Sequence, residues 1–221
     1  MLFSLIFALQ VLASSLDFGD KTPPQGLSPQ EQKTSELPFW KKKKDVYKRV
    51  IEDRYIVVSA KAEDVDSLKK LILITAGHIH APIDYTYQQI KDYDSYSHFL
   101  PYIDVSTFDN ATRNLFLKAS LLGYEVLMTL HLEDEVIDEG KRINWRCISG
   151  SFVGMKGVFL FTPFDPEYTE ISMNAEYIGE KIPIPQFILN WGLEMAGQRV
   201  AGSMRKRVEG NWEKSKKPKN D

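Results

Sequence analysis

Residues 77–101, Gly-His-Ile-His-Ala-Pro-Ile-Asp-Tyr-Thr-Tyr-Gln-Gln-Ile-Lys-Asp-Tyr-Asp-Ser-Tyr-Ser-His-Phe-Leu-Pro, constrain the fold more than any other part of the chain. An apolar strand pattern runs into Ala81-Pro82. Proline has a fixed φ and no backbone N–H, so Pro82 stops the strand and suits the first turn of a helix. Ile83, Tyr87 and Ile90 then recur about one turn apart, which predicts a short helix. Asp92, Tyr93, Tyr96, Phe99, Leu100 and Pro101 form an aromatic-rich corner behind it.

Elsewhere the periodicity is mostly two. Residues 55–62 and 71–80 read as strands with the polar 63–67 between them, which predicts a hairpin. Further strands are predicted over 105–108, 114–120, 124–133, 142–148, 152–162 and 170–178, separated by short polar or Gly-containing breaks. Short connections between successive strands indicate an antiparallel meander. Ile182-Pro-Ile-Pro185 then opens a long helix running to about Trp212, with Pro185 in its first turn. Periodicity alone therefore gives an α+β class.

The order of strand, Ala81-Pro82, short helix and Asp92-Tyr93-x-x-Tyr96-x-x-Phe99-Leu100-Pro101 resembles the START-like superfamily, in particular its polyketide-cyclase and dehydratase-like branch, which also holds the pollen-allergen fold. Gly157-Val-Phe-Leu-Phe-Thr-Pro163 with Thr169-Glu-Ile, and the approach Ile182-Pro-Ile-Pro185, are similar to the same family. The resemblance spans about residues 40–212. It implies a helix-grip fold: a curved antiparallel sheet wrapped around a long C-terminal helix, with two short helices after the first strands. It also implies a cavity for an apolar ligand.

The ends carry different signals. Residues 1–13 are uncharged and almost wholly apolar, which predicts a signal peptide and a secreted or periplasmic protein. The run is shorter than the ~20 residues that span a bilayer, which disfavours an uncleaved anchor. Residues 14–38, with Pro23, Pro24, Pro29 and Pro38 among polar residues, read as a disordered linker. The START-like domain is placed at 39–212 and a basic flexible tail at 213–221. Lys41 to Lys44 could meet anionic headgroups in a peripheral membrane contact, or form a solvated face. The net charge of −2, from 28 basic and 30 acidic residues, argues against nucleic acid as a partner.

Leu189, Leu193, Ala196, Val200 and Met204 form one apolar stripe on the last helix. Gly192, Gly197, Ala201 and Gly202 lie on or beside it. A helical Gly costs about 1 kcal/mol relative to Ala, so these small residues need a reason: close packing on the sheet, or room for a ligand. Phe187, Trp191 and Met195 point the other way, and the segment with Phe39 and Trp40 is the expected cover for them. On the strands, apolar residues including Met128, Trp145, Met173 and Tyr177 alternate with polar ones, as on a sheet with one wet face. The family resemblance makes Met128, Trp145, Phe159, Met173, Tyr177, Leu189, Leu193, Gly197 and Val200 the expected cavity lining.

Other chemistry is sparse. His78 and His80 share a strand face, but no third ligand follows in a motif, so no metal is predicted. Asp92 and Asp94 read as caps or corner groups, and Glu133 to Glu139 as a solvated hairpin tip. Cys147 alternates with Ile143 and Trp145 and reads as a buried filler. Asn110-Ala-Thr112 is a glycosylation sequon. No cofactor is implied. The leading expectation is an exported carrier for a lipid or other hydrophobic small molecule. The alternative is a cyclase- or dehydratase-like enzyme with Tyr, His or Asp acid–base groups in the same cavity. A protein-interaction domain like the family's ribosome-associated branch fits poorly with an export signal.

Overall fold

The computed structural model describes residues 38–217. The expected signal peptide, the linker apart from Pro38, and the last four residues of the expected tail lie outside the described residues. Helices α1 (Phe39–Lys42) and α2 (Lys44–Glu52) precede a hairpin of β1 (Val57–Val65) and β2 (Leu68–Ile79). Pro82 then acts as predicted: it stands directly before α3 (Ile83–Ile90), followed by a short turn (Tyr93–Ser95) and α4 (Tyr96–Phe99). The strands β3 (Ile103–Asp109), β4 (Asn114–Leu121), β5 (Tyr124–Ile137), β6 (Gly140–Gly150), β7 (Lys156–Pro163) and β8 (Thr169–Gly179) come next. A π-helical turn (Ile188–Gly192) leads into α5 (Leu193–Ser215).

The eight strands form one antiparallel sheet in the order β1-β2-β8-β7-β6-β5-β4-β3. Every neighbouring pair but one is a hairpin. The exception is β2 against β8, where Thr75 pairs with Met173 and Gly77 with Ile171. The α3–α4 corner carries the chain from the end of β2 to the far edge strand, β3. Irregularities between Ile103 and Val105 and between Thr129 and Leu130 bend their strands. This is the curved sheet and long C-terminal helix of the helix-grip fold.

The alternation sets which face is wrapped inward. Leu71, Phe161 and Ala175 pack with Ile143 and Leu132 into the main core, and Val208 of α5 is fully buried against it. Ala60 on the edge strand β1 donates its N–H to Glu194 of α5 at 3.1 Å, which ties that edge to the helix. The apolar stripe of the helix runs further than the sequence suggested: Val208 and Trp212 continue it, and α5 extends past Trp212 to Ser215.

Three local expectations are corrected. The strand predicted from residue 152 starts at Lys156, because Met155 closes a turn by donating its N–H to Phe152 O. Most of the acidic run 133–139 belongs to β5, leaving Asp138 and Glu139 for the turn. Asp134 is held by Lys91 and Arg113, and its carboxylate accepts from Lys91 at 2.8 Å. Finally, Trp40 does not cover Phe187 and Trp191, which stay 48 % and 51 % exposed. It is buried instead with Val50 against Val57, Ile74 and Ala76, on the outer face of the β1–β2 hairpin.

Candidate ligand cavity

A cavity of about 240 Å³ lies between the inner face of β2, β8 and β7 and the middle of α5. Thr75, Gly77 and Ile79 of β2, Ile171 and Met173 of β8 and Phe159 of β7 form the sheet wall. Gly197, Val200, Ala201, Met204 and Arg205 form the helix wall. Ile90, Tyr96 and Leu100 of the helical corner close one side, so the segment that resembles the family motif is also part of this wall. Its walls are mostly apolar, with few polar groups, as in sites that hold apolar ligands.

Two of the small helix residues explain the space. An added Cβ at Gly197 would come within 2.8 Å of Val58 Cγ1, so this glycine serves close packing of α5 on β1. Gly197 also borders the cavity, and Ala201 one turn later keeps it open. Both reasons considered for the small residues therefore hold on one helix.

Of the expected lining residues, Phe159, Met173, Gly197 and Val200 border this cavity. The others lie elsewhere. Trp145 lays its indole across Gly157, where a Cβ would meet Cζ2 at 2.4 Å. Tyr177 stacks edge-on with Phe152 and donates its hydroxyl to Lys181 O at 3.1 Å. Met128 sits on β5 opposite Leu117, well across the sheet order from β2 and β8. Leu193 packs against the main core, and Leu189 borders a surface cleft with Lys69 and Lys181. The sequence reading missed Tyr96, Leu100 and Arg205. The spacing of Gly197, Ala201 and Arg205, four residues apart, was the available signal for the arginine.

The titratable groups are largely fixed by their partners. Tyr96 donates its hydroxyl to Ile90 O, and burial raises its pKa well above the ordinary value. Burial first, and Asp134 beside it second, push Tyr87 up to about 12. Burial opposes ionisation of Asp134, but hydrogen bonds from Lys91 and Tyr87 and the charge of Arg113 outweigh it and hold the carboxyl below its ordinary value. No carboxylate is among the residues bordering the cavity. Cys147 is buried, donates to Ser149 O, and has its thiol pushed up by burial, as suits a structural filler.

The side chains of His78 and His80 lie on the outer face of the sheet, and His78 also borders the cavity. His78 is 3 % exposed, stacks against Phe164 with ring centres 4.4 Å apart, and places Nε2 3.4 Å from Glu170 Oε2. His80 stacks on Tyr168. Among the described residues no group of three or more His, Cys, Asp or Glu is placed to hold a metal ion. No helix among them is long and apolar enough to cross a membrane.

Comparison with solved structures agrees with this architecture. A STAR-related lipid transfer protein from Xanthomonas axonopodis is 13 % identical, with a TM-score of 0.53 over 68 % of this chain and 98 % of its own. Human StAR-related lipid transfer protein 5 is 8 % identical, with a TM-score of 0.53 over 69 % of this chain and 87 % of its own. An aromatase/cyclase from Streptomyces is 14 % identical, with a TM-score of 0.51 over 68 % and 98 %. At such identities these likenesses show the fold alone. No curated protein matches the chain. The family model described as "Polyketide cyclase / dehydrase and lipid transport" matches residues 79–212, from the end of β2 to near the end of α5. With more than half of its length matched, the chain belongs to this START-like family.

Proposed function

We propose that this chain is a non-enzymatic binding or carrier protein for a lipid or other hydrophobic small molecule, held between α5 and the sheet. The observation that carries the reading is the apolar cavity of about 240 Å³ beside Gly197 and Ala201. Affinity comes from apolar area leaving water, about 25 cal/mol per Å² before the costs of association. The carrier reading is favoured over a cyclase-like one by the state of the acid–base groups. Tyr96 is committed to Ile90 O, and Asp134 to Lys91 and Arg113.

The apolar run 1–13 supports export, and a soluble mature protein beginning near Ser14 follows from it. Exposed Phe187 and Trp191 support peripheral contact with a membrane. Phe187 precedes the π turn and Trp191 lies within it, and Leu121 packs near Gly192 of that turn beside exposed Leu122.

The test is uptake of the uncharged apolar fluorophore N-phenylnaphthylamine. The wild type should bind about one molecule per chain. Ala201→Phe, which fills the cavity from the helix side, should abolish uptake while retaining cooperative unfolding. Equal uptake by a folded Ala201→Phe variant contradicts the reading.

A further inference from the structure

We propose that the ligand of this cavity carries a carboxylate, and that Arg205 pairs with it. The inference rests on the carrier reading above and narrows it from a hydrophobic molecule to a compact apolar acid.

Arg205 is the one charged residue of α5 that borders the cavity. It stands one turn beyond Ala201 and two beyond Gly197, on the same face of the helix. Its guanidinium lies over Gly77 of β2: a Cβ there would be 2.8 Å from Arg205 Nη2. Glycine weakens the interior of a strand, and often marks a site where another group approaches closely. Here the approaching group is a cation, set into the sheet wall of an otherwise apolar chamber.

No carboxylate among the described residues is bonded to this charge. Nη1 donates to the backbone oxygen of Arg54, at 2.5 Å. Among the described residues no carboxylate forms an ion pair with Arg205. Glu209, one turn further along α5, is engaged elsewhere. Its carboxylate accepts from the Arg54 side chain and, at 2.8 Å, from the backbone N–H of His80. Burial lowers the pKa of Arg205, the charge of Arg54 lowers it further, and Glu209 opposes both. An arginine does not deprotonate in response. It stays charged and partly desolvated, and an anion from a ligand relieves that cost.

The class of anion follows from the surroundings. A planar guanidinium matches a carboxylate with two parallel hydrogen bonds. Arg205 also borders an outer groove with Arg54 and Lys206 on one side of the charge balance and Asp53, Glu209 and Glu213 on the other. The three cations and three acids of that groove already balance, so one added negative charge disturbs it less than a phosphate of roughly −1.5 to −2. The volume of about 240 Å³ is below the roughly 300–1,000 Å³ of ordinary ligand pockets, which favours one compact tail over a two-chain lipid.

The experiment compares decanoate, decanol and decyl phosphate as competitors of N-phenylnaphthylamine on the full chain. In the wild type decanoate should bind at least about tenfold tighter than decanol, equivalent to about 1.4 kcal/mol, and tighter than decyl phosphate. Arg205→Met should erase the preference for acid over alcohol while the neutral fluorophore still binds. Gly77→Ala, which pushes the flexible guanidinium aside from the opposite wall, should reduce the same preference and keeps the test independent of how Arg205→Met folds. Equal affinity for acid and alcohol in the wild type overturns the proposal, as does a preference unchanged by both variants. A preference for the phosphate overturns the choice of carboxylate. Failure of the wild type to take up the fluorophore at all is a different result, and defeats the carrier reading itself.

Discussion

Lys41 Nζ lies 2.5 Å from Glu170 Oε1, so the first helix of the domain is clasped to its last strand across the outer face of the sheet. Glu170 is only 6 % exposed and also faces His78 Nε2 at 3.4 Å. The clasp fixes α1 where Trp40 seals the back of β2, the strand whose front forms the cavity wall. Burial alone would make Glu170 harder to ionise. The hydrogen bonds and charges of His78 and Lys41 outweigh burial and bring its pKa below the ordinary 4.5.

The sign of the pH dependence follows. A carboxyl depressed on folding contributes stability that is present above its unfolded value and lost as pH falls through its folded value. Stability should therefore decline as pH falls below about 4.5, and part of that decline belongs to Glu170. Melting temperatures of wild type and Glu170→Gln across the acid range check this. The variant should be less stable at neutral pH, and the gap should narrow on acidification. A gap that stays constant would show that the clasp is not ionic.

Trp40→Ala should cost about 3–5 kcal/mol, the usual range for emptying a large buried aromatic site. The side chain is 1 % exposed and fills the space over Ile74, Ala76 and Val57. Urea unfolding measures it. A loss below about 1 kcal/mol, within the small effects usual for surface positions, would mean that the N-terminal helices are not integral to the domain.

Gly197→Leu should destabilise by about 1–3 kcal/mol through overpacking, despite the better helix propensity of leucine. The obstacle is specific: Val58 Cγ1 stands 2.8 Å from the position of an added Cβ, on a short, stiff side chain. Val58→Ala in the same molecule should recover part of the loss. Strictly additive costs in the double-mutant cycle would show that the two residues do not meet.

How far the sequence carried depended on whether a pattern had one face or two. The strands around Met173 were legible because Ile171, Met173 and Ala175 alternate with polar partners, and Asn174 on the other side of β8 is exposed. Pro82 and the aromatic corner were legible because proline chemistry is local. On β2 both parities are apolar, since Leu71 and Ile79 face the core while Ile74 and Ala76 meet Trp40 and Val50. Such a continuous run signals burial on both faces. Nothing in it names the second cover, so Trp40 was assigned to the wrong neighbour. For the cavity, alternation identified inward residues without saying which of them touch a void. Phe159 and Met173 border it because β7 and β8 lie near β2 in the sheet order, and Met128 does not because β5 lies far from it. That separation exists only once β2 pairs with β8, a contact between distant parts of the chain.

The central claim is that a ligand occupies the space between α5 and β2, β8 and β7. Methionine methyl groups report on it directly, because Met173 and Met204 border the cavity from opposite walls while Met155 is buried in the main core. Carbon-13 methyl spectra recorded during titration with decanoate should show the Met173 and Met204 resonances shifting together and saturating at one ligand per chain, with Met155 unmoved. Saturable binding that shifts Met155 or Met128 and leaves Met173 and Met204 in place would contradict the account.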